Sequence, residues 1–121
     1  MVSVTALGSV RRGRAGGGDT AREGDLIVVT GPVGGSLLGR HLAVEPRCRE
    51  AVAIADRFAV HAAIDISDGL AVDLARLATA SGLGGLVDLA AVPVHPDARR
   101  LANHQPGLGK TPLEHAGGDG E

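Results

Sequence analysis

The sequence predicts a domain in which strands and helices alternate, of the α/β or α+β class. Three observations predict it. A β-branched run, Asp25-Leu26-Ile27-Val28-Val29-Thr30, leads through a Gly-rich turn into a helical segment. A second extended stretch, His61–Ile66, runs into the clearest helical pattern in the chain. The glycines gather at 16–18, 31–39, 82–85 and 117–120, where they read as loops between elements.

Each element has its own local reason. Val2, Val4 and Ala6 alternate with Ser3, Thr5 and Leu7, a short strand with one imperfect polar face. Residues 11–24 are basic and Gly-rich and read as a linker or a mobile loop. Asp25–Thr30 carries apolar residues on both faces, as a buried strand does. Gly31-Pro32-Val33-Gly34-Gly35 is a tight loop, and Ser36 is placed to cap a helix over Leu37–Leu42. After Pro46 a second helix covers about Arg47–Phe58, with Ala51, Ile54, Ala55 and Phe58 on one face. A third begins at Ser67 or Asp68. Leu70, Leu74 and Leu77 line its buried side with Ala78 beside them, and Gly82 follows as a C-cap. Leu86-Val87-Asp88-Leu89 is expected as a strand, Pro93 and Pro96 bracket a turn, and residues 97–102 suit a short helix. The tail from Asn103 is polar and Gly-rich, without a strong pattern beyond a helix-like Pro-Leu-Glu-His. No internal repeat is visible.

Composition narrows the function classes. Of 121 residues, 44% are hydrophobic and 21% charged, values compatible with a globular core. Phe58 is the only aromatic residue, so the core is built from Val, Leu, Ile and Ala. Such side chains bury less area each, and the stability margin is thin. A formal net charge of -2 gives no general attraction to nucleic acid or anionic membrane, so neither is expected as a partner. No apolar run approaches the roughly 20 residues of a membrane helix. The start of the chain has its positive charge after the apolar stretch, the reverse of a secretion signal. Cys48 is the single cysteine, which excludes an internal disulfide and suits a reducing cytoplasm.

The sharpest local signal is Ile64-Asp65-Ile66-Ser67-Asp68-Gly69-Leu70, with two carboxylates at the join of an extended segment and a helix. Extended geometry can put Asp65 and the Ser67 hydroxyl on one side, and Asp68 lies at the helix start. Mg²⁺ wants hard oxygen ligands of this kind, one or two carboxylates completed by phosphate and water. The plain alternative is that Ser67 and Asp68 cap the helix, and pattern alone favours it because such caps are common. Asp65, between two isoleucines, needs a partner if it is buried. A second signal, Val29-Thr30-Gly31-Pro32-Val33-Gly34-Gly35-Ser36, can hold an anion on backbone N–H groups or simply pack strand against helix. It lacks the glycine spacing of a dinucleotide fingerprint. Gly109-Lys110-Thr111 imitates the end of a P-loop, but His104 stands where the motif needs its first glycine. It reads as a surface loop. His41, His61, His95, His104 and His115 show no metal spacing with Cys48. Arg40 and His41 read as solvent-facing, and no base stands near Cys48 to make it a nucleophile.

Taken in order, these segments resemble one family, thiamine-monophosphate kinase. The strand and turn over 25–36 resemble its "GD-x-x-x-VTG-x-x-G-x-S" segment, and Glu45-Pro46-Arg47 its "x-P-R" before a helix. Ile64–Leu70 matches its distinctive IDISDGL string, and Ser81–Gly84 with Val87-Asp88-Leu89 resembles "SG-x-GA-x-IDL". Gly117-Gly118-Asp119-Gly120-Glu121 resembles the opening of "GGEDYEL".

The resemblance implies an α+β fold, a mixed β-sheet with helices packed on one face, like the C-terminal domain of the aminoimidazole-ribonucleotide synthetase superfamily and incomplete here. It implies a phosphotransferase that carries the γ-phosphoryl group of ATP to thiamine monophosphate with Mg²⁺, giving thiamine diphosphate. Asp65 and Asp68 would bind Mg²⁺, Ser67 would contact the ATP phosphates, and Glu121 would contact the thiamine substrate. It further implies that 1–24 is the last strand of a missing N-terminal domain plus a Gly/Arg-rich linker, and that 25–121 is part of the C-terminal domain. The family's further Mg²⁺ and ATP motifs, and its dimer contacts, would lie mainly in that missing domain. Where the family has an ATP-contacting basic residue, this chain has Gly16-Gly17-Gly18 and the run Arg11-Arg12-Gly13-Arg14. Two other readings stay open: an ATP- and Mg²⁺-dependent relative such as aminoimidazole-ribonucleotide or selenophosphate synthetase, and a non-catalytic remnant.

Overall fold

The computed structural model describes residues 16–104 and 111–118, together with Ser3, Thr5, Gly8 and Ser9. The strand expected over residues 2–7 and the basic run 11–14 therefore lie largely outside the described residues. Four α-helices form: α1 (Cys48–Arg57), α2 (Leu70–Ala80), α3 (Pro96–His104) and α4 (Pro112–Gly118). Single 3₁₀ turns cover Ser36–Leu38, Arg40–Leu42 and Leu89–Ala91.

The mixed β-sheet with helices on one face is not what the described residues form. They contain no strand, and their only β pairing is two isolated parallel bridges, Gly17 with Ala62 and Val33 with Val94. The physical reason is visible at the second bridge. Val33 donates to the Pro93 carbonyl at 2.8 Å and His95 donates to Val33 at 2.9 Å. The next bond of such a ladder would run from residue 93 to the Gly31 carbonyl, and Pro93 has no N–H to donate. The first bridge is flanked by glycines, which weaken a strand. Among the described residues the β-branched run 25–30 joins no ladder: Leu26 is 90% exposed, and Val28 also faces outward. Leu86 in the other expected strand is 94% exposed.

The core is small and aliphatic. Its buried apolar side chains among the described residues are Val33, Ala78, Ala98, Leu101 and Ala116. Helix α4 packs against both α2 and α3, and α3 also packs on the turn at Ser36–Leu38. The Gly34-Gly35 turn sits directly on these helices. A Cβ on Gly35 would lie 2.7 Å from the Asp97 Cβ, and one on Gly34 would lie 2.8 Å from the Ala116 Cα. Both residues have positive φ, so glycine is needed twice over. Close packing therefore accounts for this Gly-rich segment, although the elements it packs against are α3 and α4.

The helix expected at Leu37–Leu42 is broken into two 3₁₀ turns, because Gly39 adopts a left-handed conformation at φ 96°. Ser36 is buried inside the first of these turns, and Gly35 takes the N-cap position. In α1, Ile54 and Ala55 are half-buried, but Ala51 and Phe58 are exposed, so its apolar face is only partly used. Helix α2 ends as its sequence implies. Gly82 donates to Thr79 and Leu83 to Ala78, the paired bonds of a Schellman close. Helix α4 begins with a reciprocal cap: Thr111 N–H donates to Glu114 Oε2 at 2.6 Å, and Glu114 N–H donates to Thr111 Oγ1 at 3.3 Å. That pair sits in the tail where the sequence shows no strong pattern.

Candidate functional site

The loop 65–69 enters α2 and carries the residues singled out from the sequence. Asp65, Ser67 and Asp68 are all exposed, and Gly69 is buried behind them. The condition that would force a partner on Asp65, burial between the isoleucines, is not met. Neither Ser67 nor Asp68 caps the helix. Gly69 is the N-cap residue, and no side chain bonds the helix start there.

The capping runs in the opposite direction. Asp73, one turn into α2, accepts the N–H groups of Ser67 and Asp68 on Oδ2, each at 2.9 Å. Its other oxygen accepts from Arg76 Nη1 at 2.9 Å, and the same nitrogen donates to Asp68 Oδ2. The Asp73 side chain is only 2% exposed, while those of Arg76 and Asp68 are about half exposed. Burial pushes the Asp73 carboxyl up, but the bonds from Asp68, Ser67 and Arg76 outweigh it and hold the pKa below the ordinary carboxylate value. The bond to Asp68 leads the causes that raise Arg76.

Asp73 and Arg76 escaped the sequence reading, although a signal was present. Asp73 stands three residues after Leu70 and four before Leu77, so it shares the stripe those leucines define. A carboxylate on the buried stripe of a helix demands a counter-charge, and Arg76 lies three residues on.

Gly69 joins this loop to α4. Its φ is 114°, and a Cβ there would lie 2.5 Å from the Gly117 carbonyl oxygen. The loop bearing Asp65, Ser67 and Asp68 is thus seated on Gly117-Gly118. Glu121, three residues further along the sequence, lies outside the described residues. Beside the loop, a shallow hollow runs along α2 over Ala71, Val72, Ala75 and Thr79, with Arg76 in its lining.

The donor set suits a hard cation. Two exposed carboxylates and a hydroxyl stand on one short loop, and no group of three or more His, Cys, Asp or Glu converges among the described residues. Mg²⁺ takes oxygen donors of this kind, one or two carboxylates completed by phosphate and water. The N–H groups of Ser67 and Asp68 are committed to Asp73, so they are not free to hold an anion.

The other signals resolve differently. Thr111 serves the cap of α4, which starts at Pro112, and Gly109 and Lys110 lie outside the described residues. Arg47 packs on the turn after the 25–30 segment, its Nε 3.2 Å from where a Gly31 Cβ would stand. Arg40 is half-buried and donates to the Gly34 carbonyl at 2.8 Å, and His41 bonds the Ser36 carbonyl at 2.9 Å. Cys48 is exposed and unbridged. No helix among the described residues is long and apolar enough to cross a membrane.

Comparison with known proteins agrees with the order of these motifs. The chain is 45% identical over 120 residues to a thiamine-monophosphate kinase of Rhodopirellula baltica, a match covering 99% of this chain and 36% of that protein. It is 34% identical to the thiamine-monophosphate kinase of Caulobacter vibrioides, over 88% of this chain and 34% of the relative. The corresponding protein of Methanospirillum hungatei is 37% identical, over 78% of this chain and 36% of the relative. The chain therefore spans about a third of the length of the curated relatives it matches. No solved structure matches it. The model of the AIR synthase related protein, C-terminal domain, matches residues 4–106, and the chain belongs to that family.

Proposed function

We propose that this chain forms one wall of the phosphoryl-transfer site of a thiamine-monophosphate kinase, acting with ATP and Mg²⁺ on thiamine monophosphate. The observation that carries the reading is the seating of Gly69 on Gly117-Gly118. It brings the loop of Asp65, Ser67 and Asp68 to the segment that leads on to Glu121. The names of the relatives support the choice of substrate within the family.

On this reading Asp65 and Asp68 hold Mg²⁺, the Ser67 hydroxyl contacts ATP phosphate, and Glu121 contacts thiamine monophosphate. Mg²⁺ bound there would neutralise phosphate charge during in-line transfer. The chain's own residues contribute position: the loop is fixed by Asp73, backed by Gly117, and open to solvent on its carboxylate side. The single unbridged cysteine supports a cytoplasmic setting. Dimerisation, as the resemblance implies it, would be carried mainly by parts of such a kinase outside this chain.

The test is calorimetric titration of ATP, with and without Mg²⁺, into the chain and its Asp65→Ala variant, repeated with thiamine monophosphate. Weak Mg²⁺-dependent heat with ATP, lost in the variant, is expected. Equal binding by both proteins would put the nucleotide elsewhere and overturn the assignment.

A further inference from the structure

The clamp beneath the loop has consequences of its own, on the reading that Asp68 is a cation ligand. We propose that Asp73 is a positioning residue that fixes the Ser67–Asp68 peptide, and that Arg76 is the counter-charge a cation must displace to reach Asp68.

The geometry separates the two roles. Both N–H groups end on one buried oxygen, Asp73 Oδ2, at 2.9 Å. Two donors on one acceptor set the plane of the peptide between them, and with it the directions in which the Ser67 and Asp68 side chains leave the backbone. Asp73 Oδ1 meets Arg76, whose Nη1 also reaches Asp68 Oδ2. One guanidinium therefore serves two carboxylates of very different exposure. The buried bond anchors it, and the exposed one can be exchanged for another cation at small cost, because solvated ion pairs are weak. Asp73 keeps its two amide partners when Arg76 lets go of Asp68, so the loop stays in place while its carboxylate changes partners.

The two residues should then act in opposite directions. In Asp73→Asn, an amide N–H₂ turned toward Arg76 would set donor against donor. The guanidinium would be left with Asp68 alone, and the loop amides would be held more weakly. Cation binding should fall. In Arg76→Gln, the competitor leaves while the Asp73 bonds to the loop remain. Cation binding should rise. A merely structural role would move both variants the same way.

The test uses Mn²⁺ alone, followed by paramagnetic broadening of the amide resonances of the chain, with hydrogen exchange of the Ser67 and Asp68 amides read in parallel. Expected are selective broadening over 64–70 in the unmodified chain, several-fold weaker broadening with faster amide exchange in Asp73→Asn, and several-fold stronger broadening with unchanged exchange in Arg76→Gln. If Asp73→Asn does not fold, the exposed Arg76→Gln substitution decides alone: unchanged or weaker broadening overturns the proposal. Broadening over 64–70 that ignores both variants overturns the clamp and leaves the kinase reading standing. No loop broadening in any of the proteins overturns the cation assignment and the clamp with it.

Discussion

Gly69 and Gly117 meet through their backbones: a Cβ on Gly69 would stand 2.5 Å from the Gly117 carbonyl oxygen. Gly69 also holds φ 114° and ψ 149°, a region that side-chain-bearing residues almost never occupy. Gly69→Ala should therefore cost about 1–3 kcal/mol for the backbone alone, with a further loss as α4 is pushed off the loop. Gly84→Ala is the control, since nothing lies within 4 Å of its Cβ position. Its effect should stay within about 0.5 kcal/mol. Chemical denaturation of both variants measures the difference.

Helix α4 has only seven residues, yet it carries buried His115 and Ala116 and ends under Gly69. So short a helix depends on its cap. Thr111→Ala removes the hydroxyl that accepts from Glu114 N–H and should cost about 1 kcal/mol. Thr111→Ser keeps the hydroxyl and should stay close to the unmodified chain. Denaturation midpoints of the two variants check this, and equal losses in both would mean that the hydroxyl bond is not what holds the helix start.

The sequence defines the 64–70 loop better than it shows the fold around it. The loop 64–70 is legible because its residues are defined by local chemistry: a Gly at a turn, oxygen donors before it, an apolar stripe after it. The C-terminal close of α2 is legible for the same reason. The sheet is not, because strand propensity is local while a ladder requires a partner. Leu26, Ile27 and Val28 have the propensity, but no described segment runs beside them as a ladder, and Pro93 withholds the N–H that would extend the Val33–Val94 bridge toward Gly31. Asp73 was legible in principle, through its place on the leucine stripe. Its partners, two backbone amides five and six residues earlier, leave no mark in residue identity.

The fold makes a sharp distinction between two leucines. Leu101 is 4% exposed between α3 and its neighbours, whereas Leu86 is 94% exposed. Leu101→Ala should cost about 2–5 kcal/mol, the range for emptying a buried leucine site. In a core this small that is a large share of the total stability. Leu86→Ala should change stability by no more than about 0.5 kcal/mol. A buried strand at 86–89 would demand a cost at Leu86 like that at Leu101, so urea denaturation of the pair tests the absence of a sheet there directly.

Acid should loosen the end of the 16–25 segment. Asp25 accepts the Arg22 N–H at 2.8 Å and meets His61 Nδ1 at 2.8 Å. The Arg22 bond, then the His61 bond, hold its carboxyl below the ordinary value. A carboxylate with a depressed pKa in the folded state stabilises above its unfolded pKa, and that contribution disappears as pH falls through the folded value. The loss therefore belongs to the window from the normal aspartate range downward, not to neutral pH. Asp25→Asn removes the titrating group, so the variant should start less stable at neutral pH and show a flatter acid limb. Hydrogen exchange of the Arg22 amide across that range reads the same event locally. Parallel acid limbs in the two proteins would show that the Asp25 contacts with Arg22 and His61 contribute no pH-dependent stability.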